Sequence, residues 1–530
     1  MKAFDPPLRS LAVVAITAAL YASCSLIADT TLEGKPSSGS SGMGGIAGDG
    51  GVGGNVGGGA MGGGGSGASK PCGGTCLEDE TCCADTCFDL KTNAEHCGAC
   101  DKTCATGEKC CLGTCAACCD SADCATADHK CIDGACILDC TAPQTQCGSE
   151  CADLDINPKH CGGCDHDCLS GHPCVGGKCE PGWATMSETG APSARQRAAA
   201  TWTGSKLFVW GGQDMQGPLD DGALYDPKTD TWTPLSTVNA PTARVDAIAV
   251  LIDNQRIMVW GGGLPSDNKA LGTGKLYDLV ASTWLDLKEP NFARRSPIAT
   301  WTGSKVIIWG GMANDSAIGD GFYYEPAMDK WTYMPPNANS PVARTGVGWV
   351  WSGQELFLFG GRPSGLGATA DGFGYTPDTK TWRKLATPAI LEPRFDPFVA
   401  WTGTAMLVFG GRDVATTYAN AALFDPVANT WSTVSPNPLG KRSAPDRRTG
   451  WTSSANPQVL VAGGVDDADD IKANGIVYDS IVNDWGTQIP AWTSGVDHEY
   501  GVCVWTGVEL VLWSGLHNTV LTPVGERYRP

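Results

Sequence analysis

Basic side chains are scarce in this sequence of 530 residues. Lysine and arginine together number 37, against 57 aspartate and glutamate residues, and the formal net charge at neutral pH is −20. The basic residues form no run anywhere along the chain. Phosphate contacts dominate the affinity of proteins for nucleic acids, so this charge pattern argues against a nucleic-acid partner. It favours a soluble protein, and we expect a monomer.

Long apolar runs are also lacking, except for one short stretch at the N-terminus. It extends from Leu11 to Ala22, follows two basic residues, and is too short to span a bilayer stably. This arrangement predicts a signal peptide over residues 1–23. The sequence Tyr-Ala-Ser-Cys at positions 21–24 resembles a bacterial lipobox, which implies acylation of Cys24 and an exported, outer-membrane lipoprotein facing the cell exterior. The alternative is ordinary secretory cleavage beside an incidental cysteine.

Glycine, by contrast, is abundant and unevenly placed. Residues 36–69 are almost entirely glycine, serine and alanine, which cannot bury enough apolar surface to offset the entropy of ordering. We therefore predict a flexible tether over residues 24–70. A lipid at one end of this tether would be the only membrane contact and would hold the folded parts away from the membrane, in reach of an extracellular protein or glycan.

All cysteines except Cys24 and Cys503 lie between Cys72 and Cys179, which predicts a separate cysteine-rich region over residues 71–180. Seven of them recur 64 positions later, so the region contains two copies of one module, at about 83–115 and 147–179. The matched cysteines are Cys83, Cys87, Cys97, Cys100, Cys104, Cys110 and Cys115 in the first copy and Cys147, Cys151, Cys161, Cys164, Cys168, Cys174 and Cys179 in the second.

The repeated pattern Cys-x-Asp-Leu-x2-Asn-x2-His-Cys-Gly-x-Cys-x3-Cys resembles the stigma-specific-protein family of small extracellular modules. The resemblance implies a disulfide scaffold without catalytic chemistry. The alternative is a structural metal, because Cys-x2-Cys pairs lie near His96, His160 and His166. Export favours disulfides, since thiols oxidise outside the cytoplasm.

From residue 181 to the C-terminus the sequence repeats with a period near 50 residues. Each repeat has an apolar strand, then a glycine doublet such as Gly211-Gly212, a strand ending in aromatic-Asp-Pro or a variant, and a tryptophan. An apolar strand of this kind is buried on both faces, and the period fits a four-stranded propeller blade. The pattern resembles Kelch repeats, which implies an all-β, seven-bladed propeller over residues 181–530.

One tryptophan in each blade is expected to pack between neighbouring blades. These structural residues are Trp232, Trp284, Trp331, Trp382, Trp431 and Trp485, with Trp183 as the seventh. The last repeat ends without such a tryptophan, and Trp183 precedes the first complete blade. We therefore predict that residues 183–187 pair beside residues 524–528 and close the ring, which removes an exposed sheet edge.

A cation precedes each doublet by sixteen residues, with one shift to seventeen and a histidine in the last blade. These candidate ligand-binding residues are Arg195, Arg244, Arg294, Arg344, Arg394, Arg447 and His498. Kelch domains that bind acidic peptides use some arginines here, which implies a ring of guanidinium groups able to hold carboxylates. The structural alternative is that each arginine binds loop carbonyls or an acidic residue of the next blade.

Chemistry that points to an enzyme is sparse. His498, His517, Tyr500 and Cys503 lie close together in the last blade, but no motif of a copper oxidase surrounds them. Another loop carries four acidic residues that form weak candidates for calcium, with a solvated loop as the alternative: Asp466, Asp467, Asp469 and Asp470. The sequence indicates no cofactor and no catalytic residue.

Three functions remain open. The first is a surface-anchored binding or adhesion protein that recognises a protein or glycan on one propeller face. The second is an exported carbohydrate-active enzyme of oxidase or epimerase type on the same fold, and the third is a structural envelope protein. Fold alone does not decide between them. A closed pocket of carboxylates with perturbed pKa would favour the enzyme, and an open basic rim would favour the binding protein.

Overall fold

The computed structural model describes residue 72 and residues 76–530, apart from residues 85, 125–128, 169–171, 266–268, 291, 444–448, 452–457, 469, 471, 496–497 and 518–519. The described chain forms two compact units, a cysteine-rich unit that ends at Glu180 and a unit containing residues 181–530. The predicted lipidation site at Cys24, the signal peptide and the tether lie outside the described residues. Among the described helices, none has the length and apolar character required to cross a membrane.

The cysteine-rich unit is built from short antiparallel hairpins and one 3-10 turn at Ser121–Asp123. The hairpins pair Thr81–Cys83 with Thr86–Phe88, Lys109–Cys111 with Thr114–Ala116, His129–Ile132 with Ala135–Leu138, Thr145–Cys147 with Glu150–Ala152, and Cys174–Val175 with Lys178–Cys179.

Disulfides hold this unit together, and all of its cysteines are paired, which confirms the disulfide interpretation. The two modules have the same four bonds, 64 positions apart. The first has Cys76–Cys87, Cys83–Cys100, Cys97–Cys110 and Cys104–Cys115, and the second has Cys140–Cys151, Cys147–Cys164, Cys161–Cys174 and Cys168–Cys179. Cys76 and Cys140 therefore belong to the repeat as an eighth matched pair, which the sequence analysis did not include.

The segment between the modules repeats part of the same disulfide pattern. Its bonds Cys118–Cys131 and Cys124–Cys136 join first to third and second to fourth cysteine, as in the second half of each module. The remaining bonds, Cys72–Cys82 and Cys111–Cys119, lie outside these repeats. With few large apolar residues available, cross-links replace packing as the source of stability.

Glycine at one repeated position is required by close approach of two chain segments. Gly98 has φ +74°, and a Cβ there would lie 2.3 Å from the carbonyl oxygen of Gly113. Its amide also donates to the carbonyl of Leu90 at 2.8 Å. The second module repeats this contact, since Gly162 has φ +72° and the same 2.3 Å approach to Gly177.

Residues 181–530 form a seven-bladed, all-β propeller, as the sequence predicts. Each blade is a four-stranded antiparallel sheet whose first strand lies nearest the central axis. Because the strands alternate in direction, the loops between the second and third strands and those between successive blades lie on one side, here called the loop face. The turns between the first and second strands and between the third and fourth strands lie on the opposite side, the turn face.

The strands of each blade, from the centre outward, have these bounds: blade 1, Ala199–Trp202, Leu207–Trp210, Gly222–Asp226 and Thr231–Pro234; blade 2, Ile248–Ile252, Arg256–Trp260, Gly274–Asp278 and Thr283–Asp286; blade 3, Ile298–Trp301, Val306–Trp309, Gly321–Glu325 and Lys330–Met334; blade 4, Gly348–Trp351, Leu356–Phe359, Gly372–Thr376 and Thr381–Lys384; blade 5, Phe398–Trp401, Met406–Phe409, Ala421–Asp425 and Thr430–Thr433; blade 6, Thr449–Trp451, Gln458–Ala462, Gly475–Asp479 and Asp484–Ile489; blade 7, Val502–Trp505, Leu510–Trp513, Gly525–Arg529 and Gly182–Thr185.

Small two-stranded ribbons extend the loop face. They pair Gly263–Leu264 with Lys269–Ala270, Met312–Ala313 with Ser316–Ala317, Arg344–Thr345 with Arg362–Pro363, and Leu516–His517 with Val520–Leu521.

The ring closes through the N-terminal strand, as predicted. Trp183 lies opposite Tyr528, and Thr185 lies opposite Glu526, in the antiparallel pairing of residues 182–185 with the last strand of the chain. The amide of Met186 continues the ladder by donating to the carbonyl of Gly525 at 2.8 Å. Blade 7 is therefore assembled from both ends of the propeller, and no blade edge is left unpaired at the seam.

The hydrophobic core lies between the blades. The second strand of blade 1, Leu207–Trp210, is wholly inaccessible to solvent, and the second strands of the other blades are almost as deeply buried. In every blade the tryptophan of the fourth strand contacts the aromatic ring of the third strand, with ring centroids 4.8–5.1 Å apart. These pairs are Tyr225–Trp232, Tyr277–Trp284, Tyr324–Trp331, Tyr375–Trp382, Phe424–Trp431, Tyr478–Trp485 and Tyr528–Trp183.

Six of these tryptophans also join their blade to the preceding one. Their indole N–H groups donate to a backbone carbonyl shortly after the tryptophan of that preceding blade, which satisfies a buried donor. The bonds run from Trp183 to Pro490, Trp232 to Ser187, Trp284 to Ser236, Trp331 to Lys288, Trp431 to Ala386 and Trp485 to Ser435, at 2.6–2.9 Å.

Blade 6 departs from this packing and compensates for it. Elsewhere the residue before the doublet is an aromatic ring that packs on the next tryptophan, as Trp210 does on Trp284 at 4.6 Å. Blade 6 has Ala462 there, and the missing volume is supplied by the buried Trp492, whose ring meets that of Trp183 edge-on at 5.9 Å.

Replacement of one of these tryptophans will destabilise the propeller strongly. Trp284 is 4% exposed, contacts three aromatic rings and donates one hydrogen bond. We expect Trp284→Ala to lower the free energy of unfolding by about 3–5 kcal/mol, measured by denaturant unfolding. The exposed neighbour Thr283 is the control, and Thr283→Ala should change stability by less than about 0.5 kcal/mol. Equal effects of the two substitutions would contradict this packing.

The repeated pairing of the cysteine-rich unit can be mapped chemically. Digestion of the oxidised protein followed by mass spectrometry should yield peptides linked through Cys97–Cys110 and Cys161–Cys174, which are equivalent bonds in the two modules. Because the modules share one scaffold, their linkages must match. Different connectivities in the two copies would refute the duplication at the structural level.

Candidate loop-face site

Six of the seven cations predicted at the entry to the first strands share one structural role, and in blade 6 Arg442 has the same role. Each side chain donates to the carbonyl of the first doublet residue in its own blade. The donor–acceptor distances are 3.0 Å for Arg195–Gly211, 3.1 Å for Arg244–Gly261, 2.8 Å for Arg294–Gly310, 2.9 Å for Arg344–Gly360, 2.7 Å for Arg394–Gly410, 3.2 Å for Arg442–Gly463 and 2.9 Å for His498–Ser514.

In blade 6 this place belongs to Arg442. The candidate chosen from the spacing, Arg447, lies outside the described residues. Arg442 stands 21 residues before Gly463, whereas the spacing in most other blades is 16. The segment between the clip cation and the glycine doublet is longer in blade 6, so the equivalent cation lies further from the doublet in sequence. A search for any basic residue before this longer segment would have found it.

The main chain of these arginines is tied to the neighbouring blade. The amide of the second glycine in one blade donates to the carbonyl of the arginine in the next, for example Gly212 to Arg244 and Gly361 to Arg394, both at 2.8 Å. Four arginines therefore bind the doublet of their own blade through the side chain and the doublet of the preceding blade through the backbone: Arg244, Arg294, Arg394 and Arg442. We call this arrangement the arginine clip.

The glycine doublet is required by the clip. Gly211 and Gly212 have φ values of +66° and +87°, a region that disfavours other residues. A Cβ on Gly212 would lie 2.6 Å from the carbonyl oxygen of Gln196, and one on Gly211 would lie 2.9 Å from that of Arg244. Only glycine lets the two backbones approach closely enough for these hydrogen bonds.

Burial makes the clip arginines poor contacts for a ligand. The six described arginines of the clip and His498 are at most 3% exposed. Burial lowers the pKa of Arg244, Arg394 and Arg442 to about 10, which leaves each guanidinium charged at neutral pH. Several of the charges are balanced locally, as in Arg195–Asp221 at 2.8 Å and Arg344–Asp371 at 2.6 Å. This geometry favours the structural alternative for the ring of cations.

In the acidic loop proposed as a weak calcium candidate, the carboxylates form ion pairs with lysines. Asp466 forms an ion pair with Lys472, and Asp467 pairs with Lys441 at 2.5 Å. These contacts hold the pKa of both carboxyl groups below the usual range. Asp470 is 3.8 Å from Lys472, and Asp469 lies outside the described residues. The arrangement favours a lysine-paired surface loop.

The side chains considered for copper do not converge. Cys503 is buried within the first strand of blade 7, whereas His517 belongs to a small ribbon on the loop face. His498 contacts the carbonyl of Ser514 and the carboxylate of Glu526. In the part of the chain that the structure describes, the groups of side chains close enough to share one metal ion consist of cysteines already joined in disulfides.

Backbone hydrogen bonds also join neighbouring blades near the mouth of the central channel on the loop face. At the described positions two residues after a clip cation φ is positive, and in four blades the amide of this residue donates to the equivalent residue of the preceding blade. Such bonds run from Arg197 to Tyr500, Asp246 to Arg197, Ser296 to Asp246 and Asp396 to Gly346, at 2.7–3.1 Å. In blades 1 to 3 the side chains at this level form a buried ion-pair cluster, in which Asp246 bridges Arg197 and Arg295.

Blades 4 and 5 present a different surface beside the mouth. Phe395 is half-buried, and the centre of its ring lies 5.9 Å from the guanidinium of Arg362 and 5.6 Å from that of Arg412. Arg362 is exposed and forms no ion pair with any residue that the structure describes. We call these three residues the cationic patch. The sequence analysis missed it, although arginine follows the glycine doublet only in these two adjacent blades.

Exposed apolar side chains lie at the tips of the loop face, and two of them belong to blades 4 and 5. Four of the loops between second and third strands carry an exposed large apolar residue, with 63–78% of the side chain accessible: Met215, Leu366, Val414 and Val520. Exposed apolar tips beside aromatic and arginine side chains are typical of a protein-binding surface.

An open cleft lies on the loop face away from the mouth. It has a volume of about 490 Å³ and lies at the outer part of blade 6, lined by Lys472, Ala473, Asn474, Gln488, Ile489, Pro490 and Ala491. Lys472 and Asn474 are engaged by Asp466 and Arg442, so two of the polar groups in this cleft already have protein partners.

Comparison with known families identifies the repeat. The model of the KLHDC2/KLHL20/DRC7 Kelch-repeats domain matches residues 296–504, and that of the Kelch motif matches residues 194–239. Together with the seven four-stranded blades, the glycine doublets and the paired aromatic rings, these matches support a propeller of Kelch type.

Curated relatives carry similar repeats in different proteins. The chain is 26% identical over 247 residues to the N-(sulfonatooxy)prop-2-enimidothioate sulfolyase of Thlaspi arvense, covering 39% of this chain and 70% of that protein. It is 22% identical to Kelch domain-containing protein 2 of Bos taurus, covering 43% and 64%, and 24% identical to Adagio-like protein 1 of Oryza sativa subsp. japonica, covering 44% and 41%. The match therefore spans less than two thirds of the latter two proteins.

The clip predicts that replacing a buried arginine destabilises the propeller much more than replacing an exposed one. Arg244 donates to the carbonyls of Gly261, Thr273 and Thr242, and its removal takes the side-chain donor from the buried carbonyl of Gly261. We expect Arg244→Ala to lower the free energy of unfolding by at least about 2 kcal/mol. The exposed Arg362 serves as the control, with less than about 0.5 kcal/mol expected for Arg362→Ala. Denaturant unfolding followed by tryptophan fluorescence measures both, and a neutral Arg244→Ala variant would rule out the clip.

Proposed function

We propose that the propeller is a binding module that recognises a protein ligand on its loop face, with an acidic group of the ligand held at the cationic patch. The observation that carries this proposal is the exposed Arg362, whose guanidinium lies over Phe395 and is not neutralised by a described carboxylate. Arginine held against an aromatic ring is pre-organised to bind a carboxylate through two parallel hydrogen bonds.

The cationic patch departs from the pattern that the blades repeat, and this departure supports the proposed binding site. The clip cations recur in every blade, as expected of residues that hold the fold together. The cationic patch is confined to two adjacent blades, and positions that break a structural pattern are where function is expected. The apolar tips Leu366 and Val414 lie in the same two blades. A protein segment that combines an acidic side chain with apolar neighbours matches this surface.

The electrostatics of the mouth support binding rather than catalysis. Two described carboxylates near it are engaged by arginines, Asp246 by Arg197 and Asp371 by Arg344. The open cleft of about 490 Å³ lies at the outer part of blade 6, and none of its described lining residues carries a carboxylate. Because one similar protein is a sulfolyase, an exported enzyme is the alternative function. Among the described residues, however, no group of side chains favours such a reaction over binding.

The cysteine-rich unit supports export. Twelve disulfides in a short segment are typical of an oxidising compartment. We therefore propose that the chain is lipidated at Cys24 and carried at the outer membrane on its glycine-rich tether as a monomer. The propeller would then present its loop face to a partner outside the cell, with the disulfide modules as a protease-resistant spacer.

Charge reversal at the patch tests the proposed ligand class. The full-length protein would be screened against arrays of acidic peptides and of glycans, followed by titration of the best ligand. Arg362→Glu combined with Arg412→Glu should weaken binding at least about tenfold, because a carboxylate would then meet like charges. Lys228→Glu makes a matched reversal of an exposed lysine on the turn face and should leave the affinity unchanged.

Arg344 and Arg394 are unsuitable for this test, because they are buried in the clip and their reversal would unfold the blade. Unchanged affinity of the patch variant, or weakening by Lys228→Glu alone, would overturn the proposed site. Capture of glycans without any acidic peptide would overturn the proposed ligand class.

A further inference from the structure

Blade 3 carries a group of aromatic side chains that continues from the core to the surface. The ring of Phe322 stacks on that of Phe292 at an interplanar angle of 9° and lies 5.1 Å from the ring of Tyr333. Phe292 also contacts the half-buried Trp331, with ring centroids 5.4 Å apart. Phe292 and Phe322 are half-buried, whereas Tyr333 is 51% exposed. We call Phe292, Phe322 and Tyr333 the aromatic shelf.

The shelf lies at the outer part of the loop face, between blades 2 and 3. Phe322 and Tyr333 are directly opposite each other on the third and fourth strands of blade 3, near the ends of these strands that meet the loop face. Phe292 belongs to the connection that leads from blade 2 into blade 3. The cationic patch belongs to blades 4 and 5, so the shelf is a separate surface and goes beyond the proposed function.

The neighbouring blade has a polar network at the same positions. In blade 2 the two opposite residues are Lys275 and Asp286, and the connection from blade 1 supplies Asn239. The ammonium of Lys275 lies 2.5 Å from a carboxylate oxygen of Asp286 and 3.0 Å from the amide oxygen of Asn239. These polar side chains satisfy one another without a ligand, whereas blade 3 presents aromatic surface to water at this place.

Aromatic pairing at this position is specific to blade 3. Among the opposite residues that the structure describes there in the seven blades, only Phe322 and Tyr333 are both aromatic. An exposed departure from a structural repeat is where a binding function is expected.

An ion pair borders the shelf. The guanidinium of Arg294 lies 5.3 Å from the centre of the Phe292 ring and 5.2 Å from that of Phe322, and it pairs with Asp320. Asp320 also accepts a hydrogen bond from the hydroxyl of Tyr333, which raises the pKa of that hydroxyl. This bond orients the exposed ring. The carboxylate of Asp320 is partly exposed and has capacity to accept a further hydrogen bond.

We propose that the aromatic shelf binds an uncharged carbohydrate, with a pyranose ring stacked on Tyr333 and Phe322 and one of its hydroxyl groups donating to Asp320. A pyranose has a face of C–H groups, whose hydrogens are attracted by the negative face of an aromatic ring. Its edge carries hydroxyl donors for the carboxylate. Small-ligand sites combine aromatic walls with a few placed polar groups in this way.

The charges at the shelf favour such a ligand over an ionic or a purely apolar one. Arg294 and Asp320 neutralise each other, so the shelf offers no net charge to an ion. An apolar side chain placed on the shelf would cover the exposed carboxylate without supplying a donor, which is costly.

Sugar binding by the full-length protein tests the proposal. An array of uncharged oligosaccharides of glucose, galactose, mannose and N-acetylglucosamine would be screened, and the best ligand titrated by calorimetry. Tyr333→Ala should weaken binding at least about tenfold, because the sugar loses its exposed stacking partner. Tyr333→Phe keeps the ring and should stay within about threefold of the natural affinity. Asp286→Ala changes the equivalent position of blade 2 and should leave the affinity unchanged.

A spectroscopic readout locates the contact in the natural protein. Saturation-transfer NMR should show the strongest transfer to the C–H protons on one face of the bound sugar, and this signal should be lost in Tyr333→Ala. Since Tyr333 is exposed, the thermal midpoint of this variant should match that of the natural protein, which shows that the fold is retained.

Unchanged sugar affinity of Tyr333→Ala would overturn the proposal, and so would an array on which no uncharged sugar binds. Loss of acidic-peptide binding instead of sugar binding in Tyr333→Ala would overturn the ligand class. Loss of sugar binding when Arg362→Glu is combined with Arg412→Glu would move the sugar to the cationic patch. The proposed function fails by a different result, an unchanged peptide affinity of that patch variant, so the two failures are distinguishable.

Discussion

The propeller depends on the hydrogen bond from a buried cation to the carbonyl of a glycine doublet. Seven sheets can be packed radially by apolar contact alone, but such contact is non-directional and does not fix where one blade ends against the next. The arginine clip supplies that direction, because side chain and backbone of one residue bind the doublets of two blades. The doublet lacks side chains for the same reason: the carbonyl of Gln196 comes within 2.6 Å of the place where a Cβ of Gly212 would stand.

The two units of the chain solve the problem of stability by different means. In the propeller, tryptophans such as Trp284 fill the space between blades and satisfy their indole N–H on a neighbouring backbone. The cysteine-rich unit has few large apolar side chains, so bonds such as Cys97–Cys110 take the place of a core. This contrast is visible in the sequence as a change from cysteine to tryptophan near residue 181.

Regular features of the sequence predicted the fold well. The period near 50 residues indicated the number of blades, and the missing last tryptophan located the seam between Trp183 and Tyr528. Features that depend on three-dimensional neighbours were not predictable in the same way. The recurrence of Arg195 and Arg344 marked equivalent places, yet recurrence alone could not tell a buried clip from a binding ring. Spacing also failed in blade 6, where lengthened connections placed Arg442 outside the expected interval.

The cationic patch shows why function was harder to read than fold. Arg362 and Phe395 are 33 residues apart in sequence, on different blades, and become a pair only through the approach of two adjacent loops. A repeat protein signals its structure by what recurs and its binding surface by what does not. Searching the repeats for exceptions, rather than for agreement, would have drawn attention to arginine after the doublet in blades 4 and 5.

Arginine-specific chemical modification tests most directly the division between structural and exposed cations. The folded full-length protein would be treated with phenylglyoxal, digested and analysed by mass spectrometry as a function of time. Arg362 is expected to react rapidly, while Arg244 and Arg394, which are at most 1% exposed, stay unmodified until the protein is denatured. Modification of Arg244 and Arg394 in the folded protein at the rate of Arg362 would contradict the clip and the site built upon it.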